Sequence, residues 1–448
     1  MESHAVGQLY AEGKPFPEML TTVTDPNIEV FQVTTDLESD AHAPAMHSSH
    51  GLFTPDGRRF VFHRQRGTAN GPGKVVLTLC EIADGFKLRD LTDEDNAKAP
   101  ILSLDGRFLY YFVDNGASDK PHIILKRISL DDFKRETLLV VDGPVEGVGR
   151  VPRGGGMYDG LSISRDGKRL STSCSFYTDT DPMFSSLIVD LEKMTIRGFQ
   201  FEKYNWRPFG TYYRGNDPRY VHHLLFGHSH YRSGMDVHGK WYSEKADDVP
   251  RPTLHVLTDE GVQAGVIPIG DEGEGVDHAC WRGGLYEIVT HTSSTRTAKH
   301  WRGIMLTAAP VACKPEDQYK GARVPGAKRV ELTRYITRPD VCHHSWDASG
   351  THVVCDTEGW HQDGLAAYLW LGTVVKGPDG APCLTPKYLI HPKSAWSGSY
   401  WTECQPALSP DLKTVFVNSD FCCKAGHPQL FAIRGFEFPK GVDRSVTT

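Results

Sequence analysis

No apolar run in this 448-residue sequence approaches the length needed to span a bilayer, so no membrane partner is expected. The first residues, Met1-Glu2-Ser3-His4, lack the basic stretch and apolar core of a secretory leader, and a cytoplasmic location follows as the expectation. Ten cysteines are scattered apart from Cys422-Cys423, and none forms the CxxC pair of a zinc ribbon. Buried, reduced thiols are their expected state. There is no excess of basic charge: the net charge of −7 provides no face for nucleic acid. HExxH and EF-hand signatures are missing. The nearest approach to a GxSxG elbow, Gly227-His228-Ser229-His230-Tyr231, fails at its last position. No segment carries a long helical period, which leaves little room for helix.

What is present is a repeat. Length alone would suggest about three domains, but 44 glycines and 28 prolines beside only 39% apolar residues read as many short strands joined by turns. A short strand, an Asp-Gly-like turn and an apolar strand recur. Clear copies are Leu52 to His63, Leu102 to Phe112 and Ile163 to Ser173. Weaker ones run Tyr213 to His228, His278 to His291, His343 to Asp356 and Gln405 to Asp420. Asp-Gly and Asn-Asp suit turns with positive φ, and the flanking β-branched and aromatic residues suit strands. Copies spaced roughly 50 to 65 residues apart match the period of a four-stranded blade with its loops. The expectation is an all-β, seven-bladed β-propeller forming a single domain over residues 1–448. In it, 1–28 is an N-terminal extension and 29–35 a strand completing the last blade. Such closure removes exposed sheet edges.

In a blade of this kind, the start of the strand before the turn and the end of the strand after it share one rim. Counting six residues back from each turn gives His50, Ala99, Gly160, Thr211, His343 and Gln405, with His278 at nearly the same place in the fifth copy. His63, His228, His291 and Asp356 stand at the return ends. A recurrent register is not something solvated histidines have reason to show, so these residues are expected to gather at one channel mouth. His47, His222, His223, His230 and His344 are less well placed and are expected to be ordinary polar residues. Imidazoles with Gln, Glu or Asp oxygens suit manganese, zinc, iron or nickel. A His-rich site with an Arg nearby suits removal of a carbon-bound proton beside a carboxylate.

The segments Leu224 to His230, Val276 to Trp281, Val341 to Asp356 and Glu403 to Asp420 resemble, in order, those of the oligogalacturonate lyases. That resemblance implies a seven-bladed propeller that β-eliminates short uronate oligosaccharides in the cytoplasm with a divalent metal. Manganese is the first candidate for that metal, with zinc, nickel and calcium as the others. By position, His228 matches the family's base, while His278 and His343 match histidines at the metal and the channel. The family's last-blade His-Pro-His-Pro becomes Glu403-Cys404-Gln405-Pro406, which replaces two histidine ligands by Glu403 and Gln405 and implies a harder, weaker site. Arg214 is the candidate for neutralising the substrate carboxylate. His50, Arg282 and Trp401 are candidates for substrate binding, and Trp281, Trp346 and Tyr400 are further aromatic candidates for stacking on a sugar. The expected partner is an acidic oligosaccharide. A glucuronate-containing glycan, or a non-catalytic propeller that binds a glycan or a protein, are the alternatives.

Overall fold

The computed structural model describes residues 6–35, 39–42, 51–66, 74–94, 96–115, 122–152, 161–177, 182–200, 206–229, 232–235, 241–244, 253–267, 275–293, 302–308, 328–336, 341–357, 368–394, 403–421 and 428–440. Their strands form seven antiparallel sheets of four or five strands, with one extra two-stranded ribbon, Arg232–Met235 against Trp241–Glu244. The fold is a seven-bladed β-propeller. Helix among the described residues is confined to three 3-10 turns: Pro17–Met19, Ile82–Asp84 and Pro218–Tyr220. None is long or apolar enough to cross a membrane.

The repeated turn explains why one motif yields one blade after another. In Thr54-Pro-Asp56, Ser103-Leu-Asp105, Ser164-Arg-Asp166 and Ser409-Pro-Asp411 the hydroxyl donates to the Asp carboxylate at 2.6, 2.6, 2.6 and 2.7 Å. That hydroxyl also accepts the backbone N–H that opens the return strand, at 3.0, 2.9, 2.9 and 2.9 Å. Short polar side chains that bond locally to the backbone favour turns in this way. Gly57, Gly106 and Gly167 follow the Asp with φ of 68°, 72° and 72°, whereas Leu412 takes the same place in the last blade at 61°. The sixth blade exchanges the two partners: Ser349 Oγ donates to Asp347 at 2.5 Å, and the N–H groups of Thr351 and His352 donate to it at 2.8 Å each. The fourth blade departs from the expected tight turn. Asp217 has φ −74° and caps Pro218–Tyr220, because Pro218 fixes the first helical φ and Asp217 accepts from Arg219 N–H.

The chain divides into two compact units. One comprises Met1–Asp95, Gly273–Leu306 and Arg329–Thr448, and holds the first, fifth, sixth and seventh blades. In its last blade Glu29–Gln32 pairs antiparallel with Gln429–Arg434, so the two ends of the chain share one sheet. The residues before Glu29 also join blades: Leu9–Tyr10 pairs with Lys87–Asp90, and Lys14–Pro15 with Glu29–Gln32. Buried Arg64 fixes this segment with two 2.8 Å bonds to Glu12. Its core includes Leu371, Leu389, Val415, Val417, Phe431 and Ile433 between the sixth and seventh blades. Val289, Ile304, Trp346, Val353 and Trp370 fill the space between the fifth and sixth.

The other unit, Asn96–Glu272 with Thr307–Lys328, holds the second to fourth blades. Phe112, Leu125, Leu161, Phe176 and Leu187 pack between its second and third blades. Asp259, 1% exposed, is met by Arg169 at 2.7 Å and by the Tyr212 hydroxyl at 3.0 Å.

Gly435 has φ 76°, and a Cβ there would collide with the Asn27 carbonyl beside the strand that joins the chain ends. Gly85 has φ 74° but nothing within 4 Å of a Cβ. Gly85→Ala is expected to cost only the left-handed strain, about 1–2 kcal/mol. Gly435→Ala should cost clearly more. Paired urea titrations check this, and equal losses would show that the Asn27 contact does not constrain the closure.

Candidate metal centre

All residues of the centre lie within the first-named unit. His278 sits in a bulge of Gly275–Trp281. Asp277 pairs with His291 and Cys280 with Val289, so His278 and Ala279 together face one residue, Thr290. The second blade repeats this, with Ala99 and Pro100 between the Lys98–Phe112 and Ile101–Tyr110 pairs. His278, Ala99 and Gln405 all have positive φ, at 45°, 52° and 41°. A non-glycine residue held there carries roughly 1–3 kcal/mol of strain, and such strain gathers at sites that must aim a side chain.

The sixth blade supplies the second histidine. His343 precedes His344–Trp346 and is buried, and its Nδ1–H donates to Asp356 Oδ2 at 2.8 Å while its backbone N–H donates to Oδ1 at 2.7 Å. A carboxylate only accepts, so this contact puts the proton on Nδ1 and directs Nε2 toward Glu403 Oε2 at 3.3 Å. His278 is oriented by the same logic: its Nδ1–H donates to the Cys342 carbonyl at 3.0 Å. The two rings lie 4.7 Å apart, centroid to centroid. Burial works against charge on His343, but Asp356 outweighs it and holds the imidazole well above its usual pKa.

Two further groups complete the cluster. Cys342 Sγ lies 3.6 Å from His343 Nε2 and 3.7 Å from His278 Nδ1, and ligand atoms of the three residues fall within 4.8 Å of one another. Gln405, fully buried, donates from Nε2 to Glu403 Oε2 at 3.2 Å, and its backbone N–H donates to Asp356 at 3.1 Å. Its Oε1 is buried with no hydrogen-bond partner among the described residues. Such an oxygen costs about 1–3 kcal/mol unless something meets it. A divalent cation fits the residues present: His278, Cys342 and His343 group together, Glu403 faces His343, and Gln405, bonded to Glu403, has a buried carboxamide oxygen left unmet among the described residues. Metal-binding histidines ordinarily donate their second N–H to a carboxylate or a carbonyl, as both do here.

The remaining candidates fall elsewhere. His50, Trp401 and Tyr400 lie outside the described residues. Arg282 is committed to its turn, donating to Glu287 at 2.7 Å and to the Gly350 carbonyl at 2.7 Å. Trp346 and Trp281 are buried, so neither offers a face for a sugar. His344 accepts from Trp346 Nε1–H at 3.2 Å, in keeping with an ordinary polar role.

In the fourth blade, His228 lies on His223–Ser229 and pairs with Thr253. Arg214 follows the Trp206–Tyr212 strand at the turn end of this hairpin, whereas Trp206 pairs with Ser229 at the far end. At about 3.3 Å per residue, Arg214 and His228 are separated by roughly 20 Å. Arg214 therefore cannot share a carboxylate with His228, a correction to the assignment made from sequence. The residues beside His228 are Arg207 and Pro208, which fall in the bulge between the Trp206–Ser229 and Phe209–Gly227 pairs.

The chain is similar to a solved oligogalacturonate lyase in complex with manganese: 16% identity, TM-score 0.65, over 98% of this chain and 99% of that one. It is also similar to Kuenenia stuttgartiensis hydrazine synthase, at 15% identity and TM-score 0.49 over 89% and 96% of the two chains. No protein-family model and no curated protein sequence matches it. Likeness at this identity shows the fold, the seven-bladed propeller already evident in the sheets.

Asp356→Ala removes the carboxylate bonded to His343 Nδ1 and leaves that side of a buried imidazole unmet. It is expected to lower the unfolding free energy of metal-free protein by about 3 kcal/mol or more. The double variant with His343→Ala should lose less than the two single losses added together. Urea midpoints of the four proteins test this, and strict additivity would show that the pair is not coupled.

Proposed function

We propose that this protein is a metal-assisted lyase that cleaves uronate-containing oligosaccharides by β-elimination, with oligogalacturonate as the first substrate to consider. The observation that carries the reading is the grouping of His278, Cys342 and His343, with Glu403 against His343 and Gln405 bonded to Glu403. Support comes from a fold shared end to end with a protein solved as an oligogalacturonate lyase in complex with manganese.

The chemistry sets the roles. The C5 proton of a uronate is weakly acidic while its carboxylate keeps its full charge, and it becomes removable once that charge is met. His278, His343, Glu403 and Gln405 would hold a divalent ion, which would supply Lewis-acid polarisation of a bound oxygen. His228 is proposed as the base, since a neutral imidazole accepts protons near neutral pH. Arg207 replaces Arg214 as the candidate cation near His228, which it faces in the strand register. Electrons of the C5–H bond become the C4=C5 double bond as the C4–O bond breaks. The departing oxygen takes its proton from water.

Mixing the protein with oligogalacturonates and, separately, with glucuronate-containing glycans is expected to generate the ultraviolet absorbance of a conjugated, unsaturated uronate. Prior treatment with a chelator should suppress it. His228→Ala should lower turnover at least ~100-fold with little change in KM. Arg207→Ala should raise KM as well. Absence of the new chromophore across the whole panel would reject the lyase and leave a glycan-binding propeller as the reading to test.

A further inference from the structure

Cys342 has no place in a site built only from imidazole and oxygen, yet its sulfur lies in the middle of this one. We infer that Cys342 binds the metal as a thiolate beside His278 and His343, and that the centre therefore prefers a thiophilic ion, zinc first, over manganese. The inference deepens the metal-centre reading above and rests on it.

Three observations support it. Cys342 Sγ is 3.6 Å from His343 Nε2. A tetrahedral zinc with bonds of about 2.3 Å to sulfur and 2.0–2.1 Å to nitrogen separates two such ligands by about 3.6 Å. The thiol is buried within the group of His278 and His343, with ligand atoms of the three residues within 4.8 Å of one another. The third observation is independent of sulfur. Gln405 Oε1 is buried and unmet among the described residues, on a carboxamide whose Nε2 donates to Glu403 Oε2, which in turn faces His343 Nε2. An unmet buried carboxamide oxygen on a residue bonded into this cluster calls for a cation, and the thiol decides which cation.

Softness gives the preference its direction. Imidazole and carboxamide accept many divalent ions, whereas thiolate discriminates strongly in favour of zinc and against manganese, which already stands lowest in the affinity series. Replacing histidines by Glu403 and Gln405 would by itself move the site toward harder ions. Cys342 moves it back. Coordination needs the deprotonated sulfur, so ion uptake should also release protons.

The test uses the full-length protein stripped of metal and titrated with cobalt(II), then with zinc(II) and manganese(II) in competition. Wild type is expected to give an intense near-ultraviolet charge-transfer band from sulfur to cobalt, besides the weak visible bands. Cys342→Ser should lose the intense band, keep the visible ones, and lose more than ~100-fold of its preference for zinc over manganese. A merely supporting residue around a metal costs 10–100-fold in affinity and leaves the band in place. Cobalt taken up by wild type without the intense band, or a band that survives Cys342→Ser, would overturn Cys342 as a ligand and leave the metal centre standing. No uptake of cobalt, zinc or manganese by wild type would overturn both. The wild-type spectrum decides the first question even if the variant folds poorly.

Discussion

Asp356 ends a return strand in the sixth blade and is 2% exposed, so the protein itself must meet its charge. Three donors do so: the backbone N–H and Nδ1–H of His343, and the backbone N–H of Gln405 from the next blade. One carboxylate thereby fixes the orientation of the buried histidine and draws the innermost segment of the seventh blade against the sixth. The neighbouring strand reinforces the register, with Cys342 N–H donating to the Asp356 carbonyl and Asp356 N–H to the His343 carbonyl. Burial makes each bond strong, and it also makes the loss of any one expensive. The site is thus assembled by the interactions that hold two blades together.

The same economy runs through the rest of the fold. Leu408 N–H in the seventh blade donates to Ser345 Oγ of the sixth at 3.2 Å, and Tyr212 N–H in the fourth donates to Ser162 Oγ of the third at 2.8 Å. Small hydroxyls on one inner strand meet the backbone of the next. Between them pack the large side chains, such as the stack in which Phe60 lies 4.5 Å from both Phe53 and Phe416. Polar residues near the inner strands therefore do not imply function unless they remain unmet, which is why Gln405 Oε1 carries more weight than any count of histidines.

The clearest blades were legible because their turns are written locally: a hydroxyl, an Asp two residues on and a glycine close the hairpins of the first three. The seventh copy could be read even with Leu412 in the glycine position, since the Ser409–Asp411 bond survives. Register counting from those turns also singled out His278, His343 and Gln405. It went astray with Arg214, because the distance from a turn says which residues are near it but not which lie opposite the far end of the strand. The bulge that sets Arg207 beside His228 inserts a residue and has no clear mark in sequence. Cys342 and Asp356 gave weak signals, a buried-looking thiol and a strand-end acid. What matters for both is their cross-strand pairing with His343, which only the folded register supplies.

The central claim is that a metal ion sits between the fifth, sixth and seventh blades at His278, Cys342, His343, Glu403 and Gln405. The most direct measurement is an anomalous-difference map from crystals of protein purified without chelator and soaked in zinc, collected on both sides of the zinc edge. The account predicts one dominant peak, present only above the edge, within bonding distance of His343 Nε2 and the Gln405 carboxamide oxygen. A map with no peak there, while zinc binds at other residues or nowhere, would contradict it.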